Sequence, residues 1–97
     1  MDLKIKSYVD RAKNKLILAK ANFELSISKE AKNVLNLNDT DTFFNDVISQ
    51  AYYCIFYSAK AYLLSVYVET NAPEEHKKTY EKFKQEVENI VLQTQIP

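Results

Sequence analysis

An all-α fold, an antiparallel helical bundle of three long helices, follows from three observations on the sequence. The chain contains no glycine and only two prolines, whereas tight hairpins and phosphate-cradling loops lean on glycine. Apolar residues recur every three or four positions through three long segments. Between them lie short runs of capping and turn-forming residues. At 97 residues, 46% hydrophobic and 27% charged, the chain has the size and make-up of one globular domain spanning 1–97. A β-rich fold, a P-loop and a Rossmann fingerprint are excluded on the same grounds.

In the first segment Ile5, Tyr8, Ala12, Leu16, Ala19, Phe23 and Ile27 form one stripe. The pattern predicts a helix from Leu3 into the late twenties, continuing past Ala31 toward Leu35. The run 36–42 is dense in Asn, Asp and Thr and reads as the first connection. A second helix is expected from Thr42 to Val68, with Thr40 or Asp41 as its N-cap. It carries three kinds of face. Ile48, Tyr52, Ile55, Ala59, Tyr62 and Val66 form a bulky stripe. Val47, Ala51, Cys54, Ser58, Ala61 and Ser65 form a stripe of small residues. Gln50, Tyr53, Tyr57 and Lys60 belong to a third, polar and aromatic stripe. Two apolar faces predict a central helix packed on both sides. The run 70–73 then breaks the chain, and Pro73 followed by two acids suits the first turn of a third helix. His76, Tyr80, Phe83, Val87 and Ile90 mark its apolar stripe. Short connections predict antiparallel neighbours, up-down-up. Three helices leave one side of the bundle thinly covered, so a partner, a second copy or a further C-terminal helix is expected to complete it.

Thirteen basic residues balance thirteen acidic ones, which disfavours a generic nucleic-acid coat or a polybasic membrane binder. Charge is uneven along the chain, however: the first 32 residues carry eight bases and four acids. Arg11 is the only arginine, and arginine is the usual bidentate phosphate clamp. Lysines on the outer face of an amphipathic helix ordinarily serve solvation. Cys54 is the only cysteine. It excludes an internal disulfide or a thiolate cluster, and with no signal-peptide core at the N-terminus the cytoplasm is expected. Residues 51–68 hold a single charge, Lys60, in eighteen positions. That charge costs roughly 2.5–3.5 kcal/mol in a bilayer centre, so a buried bundle helix is expected and no membrane span. His76 is the only histidine. Beside Glu74 and Glu75 it reads as a solvated first turn, since a metal site needs several convergent ligands. No metal, cofactor or catalytic residue is assigned.

The string Gln50-Ala51-Tyr52-Tyr53-Cys54-Ile55-Phe56-Tyr57-Ser58-Ala59-Lys60-Ala61-Tyr62-Leu63-Leu64 resembles the signature helix of HEPN-domain proteins. These are small all-helical prokaryotic bundles, often encoded beside a minimal nucleotidyltransferase as a toxin–antitoxin pair. The long first helix and a third helix opening with His76-Lys77 are similar to the same family, over about Leu3 to Phe83. Ribonuclease members carry an arginine and then a histidine about two helical turns on, so that both side chains share one face. The histidine works as acid or base and the arginine stabilises the charged transition state.

Here those two positions are Gln50 and Tyr57. A neutral amide supplies no positive charge, and a phenol with an unperturbed pKa near 10 is a poor base at neutral pH. The resemblance therefore implies a HEPN-like module without ribonuclease chemistry, homodimeric, pairing with a nucleotidyltransferase. Gln50, Tyr53, Tyr57 and Lys60 are then the expected interface or ligand face, suited to a wet contact or to stacking RNA bases or a nucleotide. The alternative is a metal-independent RNA endonuclease toxin that uses unmatched residues such as His76. Related bundles continue into a further helix, which implies a natural short form or a truncated chain.

Overall fold

The computed structural model describes Asp2–Thr94, in four helices and, among those residues, no strand: α1 (Leu3–Ile27), α2 (Lys29–Val34), α3 (Phe44–Ser65) and α4 (Glu75–Thr94). Helix α1 ends in the late twenties, as its stripe predicts, and the continuation past Ala31 toward Leu35 is broken at Ser28. That residue adopts an extended conformation, and its hydroxyl accepts the Ala31 N–H at 3.1 Å, which caps α2 and ends α1. The expected N-caps of the next helix, Thr40 and Asp41, are likewise displaced. Asp41 spends its carboxylate on the Asn38 N–H at 2.8 Å, closing a turn. Helix α3 begins two residues beyond the expected Thr42, at Phe44. The Phe43 amide just before it is held by the buried Ser26 hydroxyl at 2.7 Å.

Without glycine the chain closes its helices on other residues. Asn36 (φ 57°) follows α2, with Leu37 N–H on Lys32 C=O at 2.8 Å and Asn36 N–H on Asn33 C=O at 3.1 Å. Tyr67 (φ 64°) repeats the pattern after α3, with Val68 N–H on Leu63 C=O and Tyr67 N–H on Leu64 C=O. Both are Schellman closures with a left-handed residue at C′. Asparagine tolerates that conformation, whereas a tyrosine is strained there. This closure stops α3 at Ser65, short of the expected Val68. Tyr67 is 96% exposed, so nothing is lost in packing when it is replaced. Tyr67→Gly is therefore expected to raise stability by roughly 0.5–1 kcal/mol, and Asn36→Gly by less. Matched urea titrations of the two variants check the order.

The residues pack as two compact units, one of Asp10–Ile55 and one of the residues up to Val9 with those from Phe56 onward. In the first, α1 and α3 are antiparallel: Lys15 lies over the Tyr53 ring, Asn22 meets Gln50 and Phe23 meets Phe44. Buried Lys32 ties α2 to the following loop through the Asp39 carbonyl at 2.8 Å. In the second, α1 again opposes α3, with Tyr8 on Tyr57 and Lys4 on Glu69.

Helix α4 departs from the up-down-up expectation. His76 stacks on Phe56 and Phe83 meets Tyr62 edge-on, so α4 runs in the same sense as the adjoining part of α3. The reason lies in the connection 66–74. Extended residues cover more than twice the distance of helical ones, so the connection doubles back far enough for the Thr70 carbonyl to reach Lys60. Pro73 is not in the first turn of α4. Glu74 takes a left-handed conformation (φ 57°), accepts the Lys78 N–H at 3.0 Å, and the helix starts at Glu75.

Candidate functional site

The third stripe of α3 turns toward α1 in both units. In the Asp10–Ile55 unit, Gln50 is half-buried and its Oε1 accepts the Asn22 amide at 2.9 Å. Half-buried Tyr53 sits edge-on to Tyr52 at 5.3 Å, with the Lys15 ammonium 5.7 Å from its ring centre. In the other unit, Tyr57 stacks on Tyr8 at 6.0 Å and Lys60 lies 5.3 Å over the same Tyr8 ring. The four expected residues therefore hold helices of their own chain together, and the structure brings Tyr57 and Lys60 to one partner.

Lys60 is the most engaged of them, with 4% of its surface exposed. Its ammonium donates to the Thr70 carbonyl and to Glu75 Oε1 at 2.6 Å, and lies against the Tyr8 ring. Buried Thr70 in turn pairs its hydroxyl with that of Thr79 at 2.6 Å. A charge that breaks an apolar run is thus a clamp binding α3 to the connection and to the first turn of α4. At 4.0 Å and 3° from Phe56, the His76 ring is stacked flat at the start of α4. Cys54 is half-buried. No group of three or more His, Cys, Asp or Glu side chains among the described residues is placed to hold a metal ion. Among those residues, too, no helix is long and apolar enough to cross a membrane.

An open groove of about 460 Å³ lies where the start of α1 meets the end of α3. Within it Lys4 and Glu69 pair at 3.1 Å, both half-exposed. The hydrogen bond and charge of Glu69 hold the Lys4 ammonium above its ordinary value, and Lys4 by the same means holds the Glu69 carboxyl below the usual carboxylate value. A depressed carboxylate contributes above its unfolded pKa and is lost as pH falls through the folded one; a raised lysine contributes until pH rises through its own. The pair therefore persists between the two, and is expected to be weak because it is solvated. Titration of the Glu69 side-chain carbon by NMR should give a midpoint below that of a free glutamate, and Lys4→Met should move it up toward the ordinary value, the Asn71 hydrogen bond and the Lys60 charge still holding it down.

The feature that sequence reasoning missed is apolar and outward. The bulky stripe of α3 is read above as packed along its whole length. Its second half is packed as far as the helix runs: α4 meets Tyr62 edge-on and Ala59 is buried, while Val66, beyond the helix end, is 38% exposed. Its first half is not. Ile48, Tyr52 and Ile55 are between 50% and 68% exposed, and Phe44, one turn before them, is 43% exposed. The same holds for α4, whose stripe at Val87 and Ile90 was expected to face a core. After Phe83 every described residue of α4 except half-buried Glu86 is exposed. Periodicity reveals that a face is apolar and says nothing of whether a neighbour reaches it.

No family model matches this chain, and no curated protein and no solved structure matches it either.

Proposed function

We propose that the chain is a non-catalytic helical interaction module, HEPN-like by resemblance, that works as a homodimer in the cytoplasm and pairs with a nucleotidyltransferase. The observation that carries this reading is the apolar surface left open to solvent on α3 and α4, of the kind that marks a protein-binding site. The absence of catalysis is supported by the residues at the two motif positions. Gln50 is occupied in fastening Asn22, and Tyr57 in stacking on Tyr8. Neither supplies the positive charge or the neutral-pH base that attack by a 2′-hydroxyl requires.

The test is made on the purified full chain with single-stranded RNA, in EDTA. Cleavage at the buffer rate, unchanged by His76→Ala, is the expected result. The tagged chain should retain a nucleotidyltransferase at one-to-one stoichiometry from its host's lysate. Cleavage lost on replacing His76 would instead establish the endonuclease.

A further inference from the structure

We propose that the exposed end of α4 docks on the exposed first half of α3 of a second copy, and that the exchange is reciprocal. This rests on the interaction-module reading and names its partner and its surfaces. In its own unit α4 is displaced along α3. Phe83 sits at Tyr62, only three residues before α3 ends, yet α4 runs on to Thr94. The last two turns thus carry Val87, Ile90, Val91 and Leu92 at 41–60% exposure. An isolated helical end of that length is marginal in water and gains most from a surface to lie on.

The other unit offers such a surface: Phe44, Ile48, Tyr52 and Ile55 continue, on the same helix, the stripe that α4 covers further along. Each copy therefore holds one uncovered apolar helix end and one uncovered length of the stripe that suits it.

Area, and the presence of both surfaces on every copy, select a second copy as the occupant. Val87, Ile90 and Val91 share one face of α4, from which Leu92 turns away. Taking at most about 200 Å² for each side chain, these three with Phe44, Ile48, Tyr52 and Ile55 expose up to roughly 700 Å² per copy, close to the ~800 Å² each partner gives to a standard interface. A reciprocal exchange also closes on itself, giving a dimer rather than a fibre.

Sedimentation of the full chain over a range of concentrations tests this. The wild type should sediment as a dimer. Ile55→Asp and Val91→Asp, both at exposed positions, should each keep the helical circular dichroism and melting of the parent and weaken association by about 30-fold or more. Mixing the two variants should restore part of the association, because one of the two joints in the mixed pair is intact. In a Cys54→Ser background, Ile55→Cys with Val91→Cys should form a disulfide between copies, a readout that does not depend on the aspartate variants folding. A monomer at every concentration overturns the proposal, as does a dimer that survives Val91→Asp or a mixture that restores nothing. If the chain then still binds a nucleotidyltransferase, the module reading stands without this dimer; if it binds nothing, both fall.

Discussion

Lys60→Ala should lower the unfolding free energy by roughly 2–3 kcal/mol, at or below the lower end of the ~3–5 kcal/mol that breaking a buried ion pair costs. The discount comes from the partner: the Lys60 side chain is 4% exposed but that of Glu75 is 36% exposed, so the freed carboxylate is rehydrated without unfolding. What remains is the buried Thr70 carbonyl without its donor, at about 1–3 kcal/mol, and the packing of the lysine stem. Lys60→Met separates these contributions. It keeps the stem and loses the charge, and should cost only about 1–2 kcal/mol. Glu75→Gln leaves Lys60 bonded to Thr70 and over Tyr8, and should cost about 1 kcal/mol. The order Ala, then Met, then Gln in urea titrations identifies the Thr70 bond as the main element of the clamp. If Glu75→Gln proved as costly as Lys60→Ala, the ion pair itself would be the dominant interaction. Hydrogen exchange should rise most at the first turn of α4, which the clamp fastens.

The same residue marks how far the sequence carries. Lys60 stands out as a charge inside an apolar run, and that alone predicts a buried helix rather than a membrane span. Its partners are not legible. Thr70 lies in a connection with no periodic pattern, and Glu75 looks like any first-turn acid. The direction of α4 was hidden for a related reason: nine connecting residues suffice either for an antiparallel return or for a chain that doubles back. Helix ends were legible in type but not in position. Ser28 interrupts an unbroken 3.6-residue pattern by capping, and Tyr67 occupies a place that composition would assign to glycine. The spacing of Gln50, Tyr53, Tyr57 and Lys60 puts them on one face of α3, yet that this face looks onto α1 depends on where α1 lies. Apolar Ile48 and apolar Leu63 carry the same signal in the sequence, yet in the fold the first is 68% exposed and the second fully buried.

That separation leads to the second large effect. Leu63→Ala should cost about 3–4 kcal/mol, within the range found when a buried leucine leaves a cavity that its surroundings do not fill. Leu63 is fully buried, and among the described residues the other buried apolar ones are Phe56 and four alanines. Alanines allow helices to approach closely but contribute little area of their own, so Leu63 and Phe56 are the large side chains among these buried apolar residues. For a chain of this size, total stability is on the order of 5–15 kcal/mol, and the loss is a large part of it. Leu63→Met, which keeps the volume, should cost less than about 1.5 kcal/mol. Ile48→Ala removes a similar amount of apolar surface from the same helix at a position 68% exposed. In dilute solution it should change stability by no more than about 0.5 kcal/mol. Its effect should appear instead in self-association, which Leu63→Ala touches only through folding. Urea titration below the dimerisation range, with sedimentation above it, reads the two quantities separately. A loss under about 1 kcal/mol for Leu63→Ala would mean that the site collapses around the smaller residue. An Ile48→Ala variant as unstable as Leu63→Ala would mean that the first half of α3 is covered within its own chain, and its role as a docking surface would then be untenable.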